Sequence, residues 1–220
     1  MALSKFNYNS FDVTPVASNA FAFNSTPNGL TTTAPGSLVL IKSQTASGSA
    51  SISFVHGTSD VVFDGTYDTY MFKFISIHPS VHETDFSFNM SVDSGSNYNV
   101  NKTTTRFQAY HKEDDSGTPA VQYHASSDLI SSTGFQDLFQ NIGVENYESA
   151  SGCLYLFDPS STTYVKHFIS RGNIAEASDY TEENHTAGYG NTTSAVNAIQ
   201  FKMDSGNIDS AVIKMYGITK

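Results

Sequence analysis

Four carboxylates fall within eight residues, at Glu176, Asp179, Glu182 and Glu183. Two carboxyl groups held at a fixed separation across a cleft are what glycoside hydrolysis requires, so this stretch is where such chemistry would sit. Read without that chemistry, the same residues are an exposed acidic loop, and this is the expectation taken here. A second acidic run, His111-Lys-Glu-Asp-Asp115, offers oxygen and imidazole ligands, but it follows a strand-like segment in a turn that would point its side chains apart. Asp93-Ser-Gly-Ser-Asn97 has the opening spacing of a calcium loop, with Gly95 at the second acidic position and no closing glutamate.

The seven histidines, at 56, 78, 82, 111, 124, 167 and 185, form no metal-ligand spacing. His78 and His82 straddle Pro79, which argues for a turn rather than a helix. Cys153 stands alone in the apolar run Gly152-Cys-Leu-Tyr-Leu-Phe157, which suits a buried inert thiol. There is no nucleophile elbow, phosphate loop or dinucleotide fingerprint. The residues therefore predict no catalytic group, metal or cofactor, and a protein that is not an enzyme. Tyr98, Tyr147, Tyr180 and Tyr189 fall in polar stretches read as loops, where aromatic faces beside amides and carboxylates could hold sugar rings or a protein partner.

Whatever these residues touch, strands must position them. Charged residues make up 15% of the 220 residues, against a usual level of about 25%, and the aromatics are 16 Phe and 12 Tyr with no Trp. Phe and Tyr favour pleated, half-buried surfaces. With a net charge of −10 and scattered basic residues, no phosphate-binding face forms, which excludes nucleic acid and disfavours anionic membranes. No stretch reaches the about 18 apolar residues of a membrane span, and Met1–Lys5 leads into polar sequence rather than a signal-peptide core. A soluble protein made in a cytosol is expected. On that basis the five Asn-X-Ser/Thr sequons, at Asn24, Asn89, Asn101, Asn184 and Asn191, read as accidents of composition.

Residues 1–36 carry Phe6, Tyr8, Phe11, Phe21 and Phe23 among Asn, Ser, Thr and Pro, and predict an irregular, extended N-terminal arm whose aromatics contact neighbouring subunits. Residues 37–220 predict the folded domain. Leu38, Leu40 and Ile41 begin a strand, with Ser51–Val55 as its expected hairpin partner. Tyr70, Phe72 and Phe74 alternate with Met71, Ile75 and Ile77, as in a strand covered on both faces. Phe86, Phe88, Met90 and Val92 alternate with polar residues. Further strands are expected in 104–111, 153–157, 164–169, 196–203 and 208–218. Phe135, Leu138, Phe139 and Ile142 have helical spacing, with Gly143 as a stop, and predict one short helix. Eight to ten strands without intervening helices imply an all-β fold: an antiparallel two-sheet sandwich, jelly-roll-like, with at most one short helix.

Four segments resemble small virion proteins of marine tailed bacteriophages. The C-terminal stretch from Thr192 contains Ser205-Gly-Asn-Ile208 and Ile213-Lys-Met-Tyr-Gly-Ile218, and Ala211 stands where that group often has glycine. Tyr70-Met-Phe-Lys-Phe-Ile-Ser-Ile-His-Pro79 with Ser94-Gly-Ser-Asn-Tyr98, and Leu156–Ile169, are similar to the same group. The resemblance spans residues 67–218 and leaves the arm outside. It implies a structural virion protein of the tail-appendage or fibre type, assembled in the host cytoplasm. Such a protein would form a homo-oligomer by analogy a trimer, dock to other virion proteins through its arm, and have host surface glycan as a further partner. A capsid decoration protein is the alternative, and a polysaccharide-degrading enzyme is the alternative of another class.

Overall fold

The computed structural model describes residues 20–23, 30–33 and 37–218. The chain divides after Ser37 into two units. In the first, β1 (Ala20–Phe23) pairs antiparallel with β2 (Leu30–Thr33), Ala20 opposite Thr33 and Phe23 opposite Leu30. The expected irregular arm thus contains a hairpin. Phe6, Tyr8 and Phe11 lie outside the described residues, as do the side chains of Phe21 and Phe23.

The second unit is all-β and antiparallel, as its composition predicts. Its strands are β3 (Leu38–Ser49), β4 (Ile52–Val55), β5 (Thr69–Pro79), β6 (Thr84–Ser91), β7 (Lys102–Lys112) and β8 (Ala120–Tyr123). They continue with β9 (Gln136–Ile142), β10 (Ala150–Phe157), β11 (Lys166–Glu176), β12 (Tyr180–Gly190), β13 (Ala198–Met203) and β14 (Ile208–Ile218). The pairing order is β3-β14-β5-β10-β11-β9-β6-β13-β4, and Gln44 Nε2 on β3 donates to the Ser53 carbonyl on β4 at 2.8 Å. The two ends of the path therefore meet, and the sheet nearly closes into a barrel. From β11, β12, β7 and β8 continue as a branch. The β11–β9 junction is a single residue pair, Glu176 opposite Ile142, whereas β11 pairs with β12 along its whole length.

Several expectations are corrected. The segment with helical spacing is strand β9. Its pairing with β6 shifts register on either side of Phe86, and such bulges break the two-residue alternation. Leu138 and Phe139 are adjacent and both buried, so bulged inward positions imitate an amphipathic helix. The only helical element among the described residues is a 3-10 turn, Ala125–Ser127. β3 and β4 are not a hairpin pair: β3 bonds β14 and β4 bonds β13. Residues 180–190, read as acidic and tyrosine-bearing loops, are strand β12. Twelve strands exceed the eight to ten expected, and Val92 is exposed rather than part of the inward row.

The core is aromatic. Phe74 of β5 meets Phe201 at 5.1 Å, Phe86 at 5.3 Å and Phe139 at 5.7 Å between ring centroids, all edge-to-face. Phe88 meets Phe168 at 4.9 Å. Each such pair adds about 0.5–1.5 kcal/mol to the burial of its area. In β5, Ser76 has φ +50°, and this irregularity turns Ile77, expected on the side opposite Phe74, into the same core.

Candidate functional site

Strand alternation sets two faces on the β11–β12–β7–β8 branch. Lys102, Thr104, Arg106, Gln108 and Tyr110 of β7 share the inner face with Glu176 of β11, Tyr180, Glu182, Asn184 and Thr186 of β12, and Gln122 of β8. That face is polar although much of it is buried. Arg106 is wholly buried, and its guanidinium donates to Glu182 Oε1 at 3.2 Å, to Ser127 Oγ at 3.2 Å, and to Asn184 Oδ1 and Gln140 Oε1. His124 Nδ1 lies 3.2 Å from the same guanidinium. Burial raises the Glu182 carboxyl above its ordinary value against the opposing pull of Arg106. A buried ion pair of this kind holds only because further hydrogen bonds satisfy it.

Beside the network the inner face opens into a cleft of about 210 Å³, lined by Gln108, Tyr110, Gln122, Glu176, Ser178, Tyr180 and Glu182. The Tyr110 and Tyr180 rings meet edge-on at 5.9 Å, and Lys112 Nζ stands 6.0 Å from the Tyr180 ring. Burial raises the Glu176 carboxyl, and the charges of Glu83 and Glu148 push it further the same way. Gln108 stands directly opposite Asn184, and its Oε1 is buried without a hydrogen-bond partner among the described residues. The cleft combines aromatic faces, amides, a hydroxyl and two carboxylates, a set suited to a small polyhydroxylated ligand.

At the other end of the network, ligand atoms of Asp85, Asp137 and Asp204 lie within 4.8 Å of one another. Gln140 Nε2 donates to both Asp85 and Asp137 at 3.1 Å. Burial first, then the Asp85 charge, pushes Asp137 up to about 7, and burial raises Asp85 as well. Three carboxylate ligands could contribute to an oxygen-ligated cation, which takes about 6–8 oxygens as calcium. No sequence spacing announced this group, because its members come from β6, β9 and the residue after β13.

The structure separates the candidates named from the sequence. Glu176 and Glu182 converge on the cleft with Tyr180. Glu183 faces the other way and pairs with Arg171 at 2.5 Å, and Asp179 sits in the β11–β12 turn. Tyr189 lies on the outer face, 6.0 Å from His167. Tyr98 packs on the Gly95 turn, and Tyr147 is an exposed loop residue. These tyrosines therefore form no common site. Asp93 accepts from Asn97 Nδ2 at 2.7 Å and from Ser91 Oγ at 2.7 Å, and these bonds draw its carboxyl down to about 2. It braces its own turn. His111 Nε2 meets Asp115 at 3.2 Å in the expected turn. The Cys153 thiol is half-buried and raised by burial, which disfavours thiolate chemistry.

The outer face carries a pattern that only the register reveals. Leu40, Tyr216, Met71, Tyr155, Ile169 and Ala187 stand side by side across β3, β14, β5, β10, β11 and β12. The adjoining row toward the chain ends of β3 and β14 holds Leu38, Ile218, Thr69, Phe157, His167 and Tyr189, and the row on the other side holds Lys214, Lys73, Cys153 and Arg171. Leu38, Leu40 and Ile169 are each about half exposed.

Comparison with models of known families, with curated proteins and with solved structures returned no match. No membrane-spanning helix is found among the described residues.

Proposed function

We propose that the protein is a structural, non-enzymatic subunit that assembles with copies of itself through the outer face of its sheet, as part of a tailed-phage virion appendage. The observation that carries the assembly reading is the unbroken apolar row from Leu40 to Ala187. Strands lie about 4.8 Å apart, so with the row beside it, apolar except for Thr69 and His167, this patch spans roughly 30 by 14 Å, or about 400 Å². Exposed apolar patches of about 300–600 Å² are the size that often carries function on single chains. A stable pairing takes about 800 Å² per partner. The adjoining row supplies further area, and on a chain of net charge −10 another copy offers its Lys73 and Lys214 complementary charge, Arg171 of that row being paired with Glu183.

The virion placement rests on the sequence resemblance over residues 67–218, and the aromatic-dotted N-terminal segment suits docking to other virion proteins. A two-layer, jelly-roll-like reading of the barrel fits the same picture, since the run from β9 to β4 joins the rest through one residue pair. Cross-linking a mixture of isotopically labelled and unlabelled protein with an amine-reactive reagent tests the assembly. Inter-copy links at Lys73 and Lys214 are expected, and their absence while intramolecular links form would overturn the reading.

A further inference from the structure

We propose that the cleft between β7, β8 and β12 is a saccharide subsite that prefers a hexosamine with a protonated amine over a neutral or acidic sugar. Its volume of about 210 Å³ is below the roughly 300–1,000 Å³ typical of drug-sized ligands, which suits a single ring. Tyr180 and Tyr110 supply apolar faces for the C–H side of a sugar. Gln108, Gln122 and Ser178 line the cleft and supply hydroxyl partners.

Charge decides which sugar. Glu176 and Glu182 both line the cleft. Arg106 engages Glu182 through one oxygen and Asn184 holds the same carboxylate, while Glu176, among the described residues, accepts only from the nearby Ser178 amide at 2.8 Å and stands in the repulsive field of Glu83 and Glu148, relieved in part by His82. Lys112, near the Tyr180 ring, pairs with Asp114 at 3.7 Å. The cleft is therefore electronegative, which attracts an ammonium group and repels a uronic acid. This inference is independent of self-assembly, because the cleft lies on the inner face and the apolar row on the outer one.

Saturation-transfer NMR on the full chain, titrated separately with glucosamine, glucose and glucuronate, tests it. Glucosamine is expected to bind in a roughly millimolar range, about threefold or more tighter than glucose, with glucuronate weakest. Tyr180→Ala and the conservative Glu176→Gln should each weaken glucosamine by about tenfold, while Ile169→Ser on the outer face leaves it unchanged. Absence of glucosamine binding, equal or tighter binding of glucose or glucuronate, or unaltered affinity in Glu176→Gln would overturn the proposal.

Discussion

The Lys102 ammonium donates to Asn89 Oδ1 at 2.6 Å and to the Val100 carbonyl at 2.9 Å, fully buried and with no carboxylate partner among the described residues. Burial alone draws its pKa down to about 7 from 10.5. The unfolded chain therefore binds more protons than the folded one between these values, and stability rises with pH across that window. Lys102→Met should flatten the rise, measured as urea midpoints from pH 7 to pH 10.

Asp137 acts in the opposite sense. Its carboxyl is raised from 3.8 to about 7, so the folded state holds the extra proton, and stability falls as pH climbs from about 4 through 7. Asp137→Asn is expected to remove this fall and to raise the melting temperature at pH 8 relative to the wild type. A variant that melts lower at pH 8 would show that the carboxylate is engaged by a group of opposite charge.

Removing one member of the Arg106–Glu182 pair strands a buried charge. Arg106→Met should cost about 3–5 kcal/mol in unfolding free energy, and adding Glu182→Gln should recover part of it. A double-mutant cycle by denaturant unfolding reads the coupling.

Phe139 lies across the directly paired Gly152 and Gly172, and a Cβ on Gly172 would collide with its ring. Gly172→Ala should destabilise by about 1–3 kcal/mol through overpacking, seen as a lower denaturant midpoint. Phe139→Leu in the same chain should return some of the loss by giving way to the methyl group.

Clean alternation made β5 and β6 legible, because Phe72, Phe74, Phe86 and Phe88 point into one core. The same rule missed β12, where the buried face is Glu182, Asn184 and Thr186: hydrophobic periodicity carries no signal when the inward residues are a polar network. At β9 the bulge supplied a false helical period. Tyr180, Glu176 and Glu182 were visible as candidates, yet their convergence depends on the β11–β12 register. Asp85, Asp137 and Asp204 lie far apart in sequence and carried no spacing signal. The apolar row on the outer face takes one residue from each of six strands, so only the pairing exposes it.

The most direct test of the assembly account is the mass of the full chain in solution by light scattering over a range of concentrations, beside Ile169→Glu. The account predicts a multiple of 23.8 kDa for the wild type and a shift toward a single chain for the variant, whose new charge stands in the middle of the apolar row. A wild-type mass of one chain at every concentration, or an oligomer indifferent to Ile169→Glu, would contradict it.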